Sequence, residues 1–139
     1  VSLAEKQRQI VERLSVIEDP QERLAALMSR AKKWPTPDAS QLTDAHRVLG
    51  CQSRVWLVPS LENGACHFLM ECDAPMVKGI VALMCELYEG AAPQDVAALE
   101  PSLFEDLGFT RQLTPTRLNG LAAVRVKIRE FAIQHQTVE

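Results

Sequence analysis

Behind a Ser2-x-x-Glu5 capping box, Leu3, Ile10, Leu14 and Ile17 recur at near-helical spacing, which predicts a first amphipathic helix ending near Glu18. Asp19-Pro20 restarts the chain. Asp19 suits the N-cap, Pro20 the first helical position and Glu22 the third, and Leu24, Leu27, Met28 and Ala31 supply one apolar stripe as far as Lys33. Trp34-Pro35-Thr36-Pro37-Asp38-Ala39-Ser40 then reads as a connecting loop, reaching about His46, because two prolines and several turn formers interrupt the pattern.

After Gly50-Cys51 the period changes to two. Arg54-Val55-Trp56-Leu57-Val58 is β-branched and aromatic, Glu62-Asn63-Gly64 carries hairpin-turn chemistry, and Cys66, Phe68, Met70 and Cys72 alternate along a second strand. A lone hairpin is marginal in water, so a third strand is expected, with Arg47 to Leu49 as its candidate. Asp73 is the expected N-cap of a helix with Pro75 just inside it, and Val77, Ile80, Val81, Met84, Leu87 and Tyr88 make this the most buried helix, up to Gly90. Two short helices follow, Pro93 to Leu99 and Ser102 to Leu107, the second stopped by Gly108. Thr114-Pro115 launches a last helix through Leu118, Leu121, Val124, Ile128 and Phe131 to about His135. The order of elements places the fold in the α+β class, a small antiparallel sheet of two to three strands flanked by helices.

Composition narrows the reading. A chain of 139 residues, 47% hydrophobic and 24% charged, with no internal repeat or low-complexity tract, suits one domain spanning 1–139. Fifteen basic against eighteen acidic side chains give a net charge of -3, which argues against nucleic acid as the main partner. The best apolar run, Ile80 to Cys85, meets Glu86 far short of the roughly 18 residues a bilayer requires, so no membrane role is expected. Val1 to Arg13 is charged and unlike a signal peptide, although a start at Val1 leaves a removed leader open. The four cysteines, Cys51, Cys66, Cys72 and Cys85, include no C-x-x-C pair, so no metal site is expected; reduced thiols in a cytoplasmic compartment are.

Cys51 is the residue with a chemical setting. It lies between Gly50 and Gln52-Ser53 on a turn before a strand, where glycine permits unusual backbone angles and backbone N–H groups approach the sulfur. A buried small hydrophobe is the alternative. Cys66 and Cys72 share parity with Phe68 and Met70 and read as packing, and Cys85 reads as core. His46 and His67 are the available thiol-activating bases, but no acyl-transfer motif accompanies them. Arg117 falls in the first turn of the last helix, where a cation faces the positive end of the helix dipole; a side chain placed against a local rule is a site candidate. Lys78 and Asp73 read otherwise as a surface charge and a helix cap.

Three blocks carry a family resemblance: Gly50-Cys51-Gln52-Ser53-Arg54-Val55-Trp56-Leu57, then Asp73-Ala74-Pro75-Met76-Val77-Lys78-Gly79-Ile80, then Leu113-Thr114-Pro115-Thr116-Arg117-Leu118-Asn119-Gly120-Leu121. In order and spacing they closely resemble the signature segments of SufE, the sulfur-acceptor family of iron–sulfur cluster assembly, and the likeness runs from about Glu12 to Phe131. The resemblance implies a fold similar to the cluster scaffold IscU. It also implies that Cys51 is an acceptor cysteine taking a sulfane sulfur from the persulfide of a cysteine desulfurase (SufS-like). Asp73 matches the aspartate ending the family's D-S-D-type turn, and Arg117 the arginine of its T-P-S-R segment. Both become candidates for auxiliary or partner-surface roles. Two departures stand out: Met70-Glu71-Cys72 precedes Asp73, which brings a second thiol near the acceptor loop, and Thr116 replaces a serine.

Two function classes follow. In one, the protein is a sulfur-transfer accessory rather than a stand-alone enzyme: Cys51 carries the sulfur, the desulfurase is stimulated, and a SufBCD-like scaffold complex receives the sulfur. In the other, Cys51 is structural and the protein regulates the desulfurase by docking alone. No cofactor is expected on this chain, since pyridoxal phosphate belongs to the desulfurase; a homodimer is compatible with either class. Protection of a persulfide from solvent leads us to expect apolar cover over Cys51, with Trp56 or Met70 as its source.

Overall fold

Capping chemistry starts the first two helices as the sequence predicts. In the computed structural model, which describes residues 1–136, α1 spans Leu3–Ser15 and α2 spans Pro20–Ala31. The Ser2 hydroxyl accepts from the Glu5 backbone N–H at 3.1 Å, and the Asp19 carboxylate from that of Gln21 at 2.8 Å. α1 stops short of Glu18 because the Arg23 side chain, reaching back from α2, donates to the carbonyls of Leu14 and Ile17. The same guanidinium donates to Leu107 O, so one side chain satisfies orphan carbonyls from two segments. The loop before the sheet holds two 3-10 turns, Ala39–Gln41 and Asp44–His46.

Strands β1 (Val55–Glu62) and β2 (Ala65–Cys72) pair antiparallel, Val55 opposite Cys72 and Glu62 opposite Ala65. Asn63 and Gly64 both take positive φ, 52° and 78°, as a tight two-residue hairpin turn requires. Cys66, Phe68, Met70 and Cys72 all point into the core. The expected third strand at Arg47 to Leu49 does not form: Arg47 makes a single bridge to Trp56, and Val48 N donates to Val55 O at 2.8 Å. The chain then leaves the sheet at Gly50, whose φ is +97°. What stabilises the two-stranded sheet instead is α3 (Pro75–Tyr88), buried continuously from Gly79 to Cys85 and packed against β2 on one side and α2 on another.

Three short helices complete the far side: α4 (Pro93–Ala98), α5 (Leu103–Asp106) and α6 (Phe109–Gln112). The sequence reading missed α6, which begins where Gly108 turns the chain with φ 80° and buries Phe109 completely. The long α7 (Pro115–Gln134) returns across the molecule, with the Thr114 hydroxyl accepting from Arg117 N at 3.3 Å. Its buried Arg125 donates to the carbonyls of Ala97 and Leu99, pairs with Glu100 and lies 4.7 Å over the Tyr88 ring. α7 is thereby fastened to α4 and α3, and its N-terminal half lies beside the Gly50 turn.

Candidate functional site

Gly50 aims the next residue at α7. Its backbone takes a conformation L residues rarely adopt, and a Cβ there would lie 3.3 Å from the Ala123 Cβ. Cys51 follows, half-buried, with its thiol donating to the Gly120 carbonyl at 3.4 Å. A Cβ on Gly120 would stand 3.0 Å from that sulfur, so the glycine in the middle of α7 makes room for the thiol. The cleft so formed has a volume of about 60 Å³. Val77, Ile80 and Val81 of α3 and Leu121 of α7 form its apolar walls, and Thr116 and Arg117 stand at α7's N-terminal end of it.

This setting fixes the resting state of the sulfur. Burial pushes the Cys51 thiol above its ordinary pKa. The protonated form is also the one that can donate to the Gly120 carbonyl. At rest, then, the group is a sheltered thiol.

Asp73 and Arg54 hold the base of the Cys51 loop. The Asp73 carboxylate accepts from Arg54 N at 2.9 Å and Arg54 Nε at 3.0 Å, while Asp73 N donates to Arg54 O at 3.1 Å. The side-chain hydrogen bond from Arg54 is the largest influence holding this exposed carboxyl below the usual aspartate range. The expected cap role is therefore corrected: Ala74 occupies the N-cap of α3 with no side-chain bond, and Asp73 is committed to Arg54.

The expected cover is corrected too. Trp56 packs under the Arg54 guanidinium, 5.8 Å from ring to cation, and Met70 is buried on the core face of β2; neither lines the cleft. Arg117 is exposed, and its Nη1 donates to the Met76 sulfur at 3.1 Å, bridging α7 to α3 beside the cleft. Lys78 pairs with Glu71 at 3.0 Å.

The other thiols are buried. Burial raises Cys66 and, strongly, Cys85. Cys72 donates to Ala74 O at 3.6 Å. His46 donates from Nδ1 to the Gln41 carbonyl and His67 pairs with Glu89, and neither histidine lines the Cys51 cleft. Among the described residues, no group of three or more His, Cys, Asp or Glu is placed to hold a metal ion, and no helix is long and apolar enough to cross a membrane. The sequence reading missed Gly120 and the walls from α3; a glycine interrupting an otherwise regular helical pattern was the available signal for the first.

Both the α+β fold and the sequence that builds it have counterparts among known proteins. The chain belongs to the SufE family: the model of the Fe-S metabolism associated domain matches residues 8–132. It is 33% identical over 127 residues to an uncharacterized SufE-like protein of Synechocystis sp., covering 91% of this chain and 80% of that protein. Another uncharacterized SufE-like protein, from Rhizobium etli, is 31% identical over 129 residues, covering 89% and 87%. The solution structure of a hypothetical protein from Thermus thermophilus superposes with a TM-score of 0.77 at 26% identity, over 93% of this chain and 94% of that one. The protein is thus associated with iron–sulfur metabolism.

Proposed function

We propose that the protein takes a sulfane sulfur from the persulfide of a cysteine desulfurase onto Cys51 and relays it toward cluster assembly. The observation that carries this reading is that Cys51, alone among the four cysteines, is neither fully buried nor open, but rests in a small cleft with apolar walls. In the transfer, the Cys51 thiolate attacks the outer sulfur of the partner's Cys–S–SH. A new S–S bond forms on Cys51, the partner's S–S bond breaks, and the partner cysteine leaves as thiolate. Removing the sulfur frees the desulfurase for its next turnover, which is how acceptance and stimulation are linked.

The remaining residues take positioning roles. The Arg54–Asp73 clamp holds the base of the acceptor loop. Arg117, exposed beside the cleft, offers a cation to the partner surface and to the persulfide anion. Docking moves the thiol off the Gly120 carbonyl and gives it the ionised form that attack requires. Pyridoxal phosphate stays with the desulfurase, a SufBCD-like scaffold takes the sulfur onward, and the exchange belongs in the cytoplasm, where thiols stay reduced. Cys51→Ser tests the reading: desulfurase turnover should rise with the native protein and stay at its basal rate with the variant. Full stimulation by Cys51→Ser would leave non-covalent regulation as the function.

A further inference from the structure

Of the three other thiols, Cys72 alone shares the neighbourhood of Cys51. It ends β2, and the residue after it is clamped to Arg54 by the hydrogen bonds described above. Cys51 lies three residues before Arg54, a stretch that spans at most about 11 Å, whereas a disulfide needs Cα atoms about 4.4–6.8 Å apart. The two sulfurs therefore sit on chain segments fastened together, within the reach of a loop rearrangement. Their electrostatics agree: burial pushes the Cys72 thiol up, the hydrogen bond at Ala74 pulls it partly back, and negative charge on Asp73, on Cys51 once it ionises, and on Glu71 pushes it further. Cys51 has no such influence on Cys66 or Cys85. Cys66 lies toward the hairpin turn, opposite Leu61, and Cys85 is sealed inside α3.

We propose that Cys72 is a resolving thiol, which discharges a Cys51 persulfide as hydrosulfide and leaves a Cys51–Cys72 disulfide. This rests on the persulfide reading above and extends it from carrying sulfur to reducing it. The Cys72 thiolate attacks Sγ of Cys51, its proton passing to solvent. The Sγ–Sγ bond forms, the bond from Cys51 Sγ to the outer sulfur breaks, and the outer sulfur leaves as HS⁻ with the bonding pair. Two electrons pass from the cysteine pair to the sulfane sulfur, so no external oxidant takes part; a dithiol reductant returns the pair to thiols. At rest Cys72 donates to the Ala74 carbonyl and stays protonated, which retains the sulfur until the loop moves.

The sequence makes the test clean. Cleavage by trypsin and a glutamate-specific protease puts the four cysteines on separate peptides: 48–54, 63–71, 72–78 and 79–86. The full chain is loaded chemically with inorganic polysulfide, freed of excess reagent, and incubated without reductant while released sulfide is measured. The expected result is one hydrosulfide per persulfide lost and a covalent link between peptides 48–54 and 72–78. In Cys72→Ser and Cys72→Ala both should vanish and the Cys51 persulfide should persist. Equal loss of persulfide in native and variant proteins, or links to 63–71, 79–86 or a second copy, would overturn the proposal. Oxidation of the native protein by one equivalent of diamide needs neither a variant nor a persulfide and must yield the same single link. Because polysulfide replaces the desulfurase throughout, failure of a desulfurase to load Cys51 would count against the proposed function and leave this test standing.

Discussion

Gly120 and Arg117 show how much of the site depends on single side chains, one absent and one present. Alanine at Gly120 would bring its methyl to 3.0 Å from the Cys51 sulfur, a distance that forces movement, and the movable partner is a thiol on a loop. Replacing a mid-helix glycine by alanine favours the helix by about 1 kcal/mol. Gly120→Ala should therefore keep or raise the melting temperature while alkylation of Cys51 at pH 7 becomes faster; unchanged alkylation would mean that the sulfur is not held where the cleft places it. Arg117 sits on α7's first turn, where its charge opposes the helix dipole, so Arg117→Ala should fold normally and weaken stimulation of a desulfurase. Arg117→Lys should be intermediate if charge alone acts and as poor as alanine if the planar guanidinium is needed. Stimulation at the native level by both variants would reduce this arginine to its contact with Met76.

Between elements, α2 and α3 approach closely at Gly79. A Cβ there would meet the Met28 backbone nitrogen at 3.1 Å and the Leu27 carbonyl carbon at 3.2 Å, and backbone atoms yield far less readily than a thiol. Gly79→Ala should then lower stability by about 1–3 kcal/mol, read by denaturant unfolding, with Cys51 reactivity little changed in the folded fraction. The two glycine substitutions thus have opposite signs for a reason the geometry supplies. Local signals also explain what could be read from the chain. Asn63-Gly64 and the caps at Ser2, Asp19 and Thr114 act within a few residues and were legible. The cap assignment of Asp73 failed because an aspartate two residues before a proline suits a cap and an arginine equally, and its partner Arg54 lies 19 residues away. The third strand failed similarly: Arg47 to Leu49 has strand-like residues, but the chain turns away at Gly50, where φ is +97° and a Cβ would crowd Ala123 on α7. Cys51 stands out in the sequence through the motif around it. The cleft walls on α3 and α7 do not, because tertiary packing brings them to it.

For the whole molecule, the fold holds one thiol half-buried and, with its pKa raised by burial, protonated at neutral pH. Alkylation of Cys51 in the free protein should be slow at neutral pH and accelerate as pH rises past the ordinary thiol range, because its pKa is raised by burial. The sign carries over to stability: a thiol whose folded pKa lies above its unfolded value contributes stability below the unfolded value and loses it as pH rises through the folded one. Adding a desulfurase whose own nucleophile has been disabled should speed alkylation at neutral pH, and equal rates would show that docking leaves the loop in place. The central claim, that Cys51 carries sulfur, is tested most directly by mass spectrometry of the peptide 48–54 after the protein is mixed with desulfurase and free cysteine. One added sulfur on Cys51, removed by reductant and missing when the desulfurase is omitted, is the predicted result; a stimulated desulfurase with Cys51 unmodified throughout turnover would contradict it.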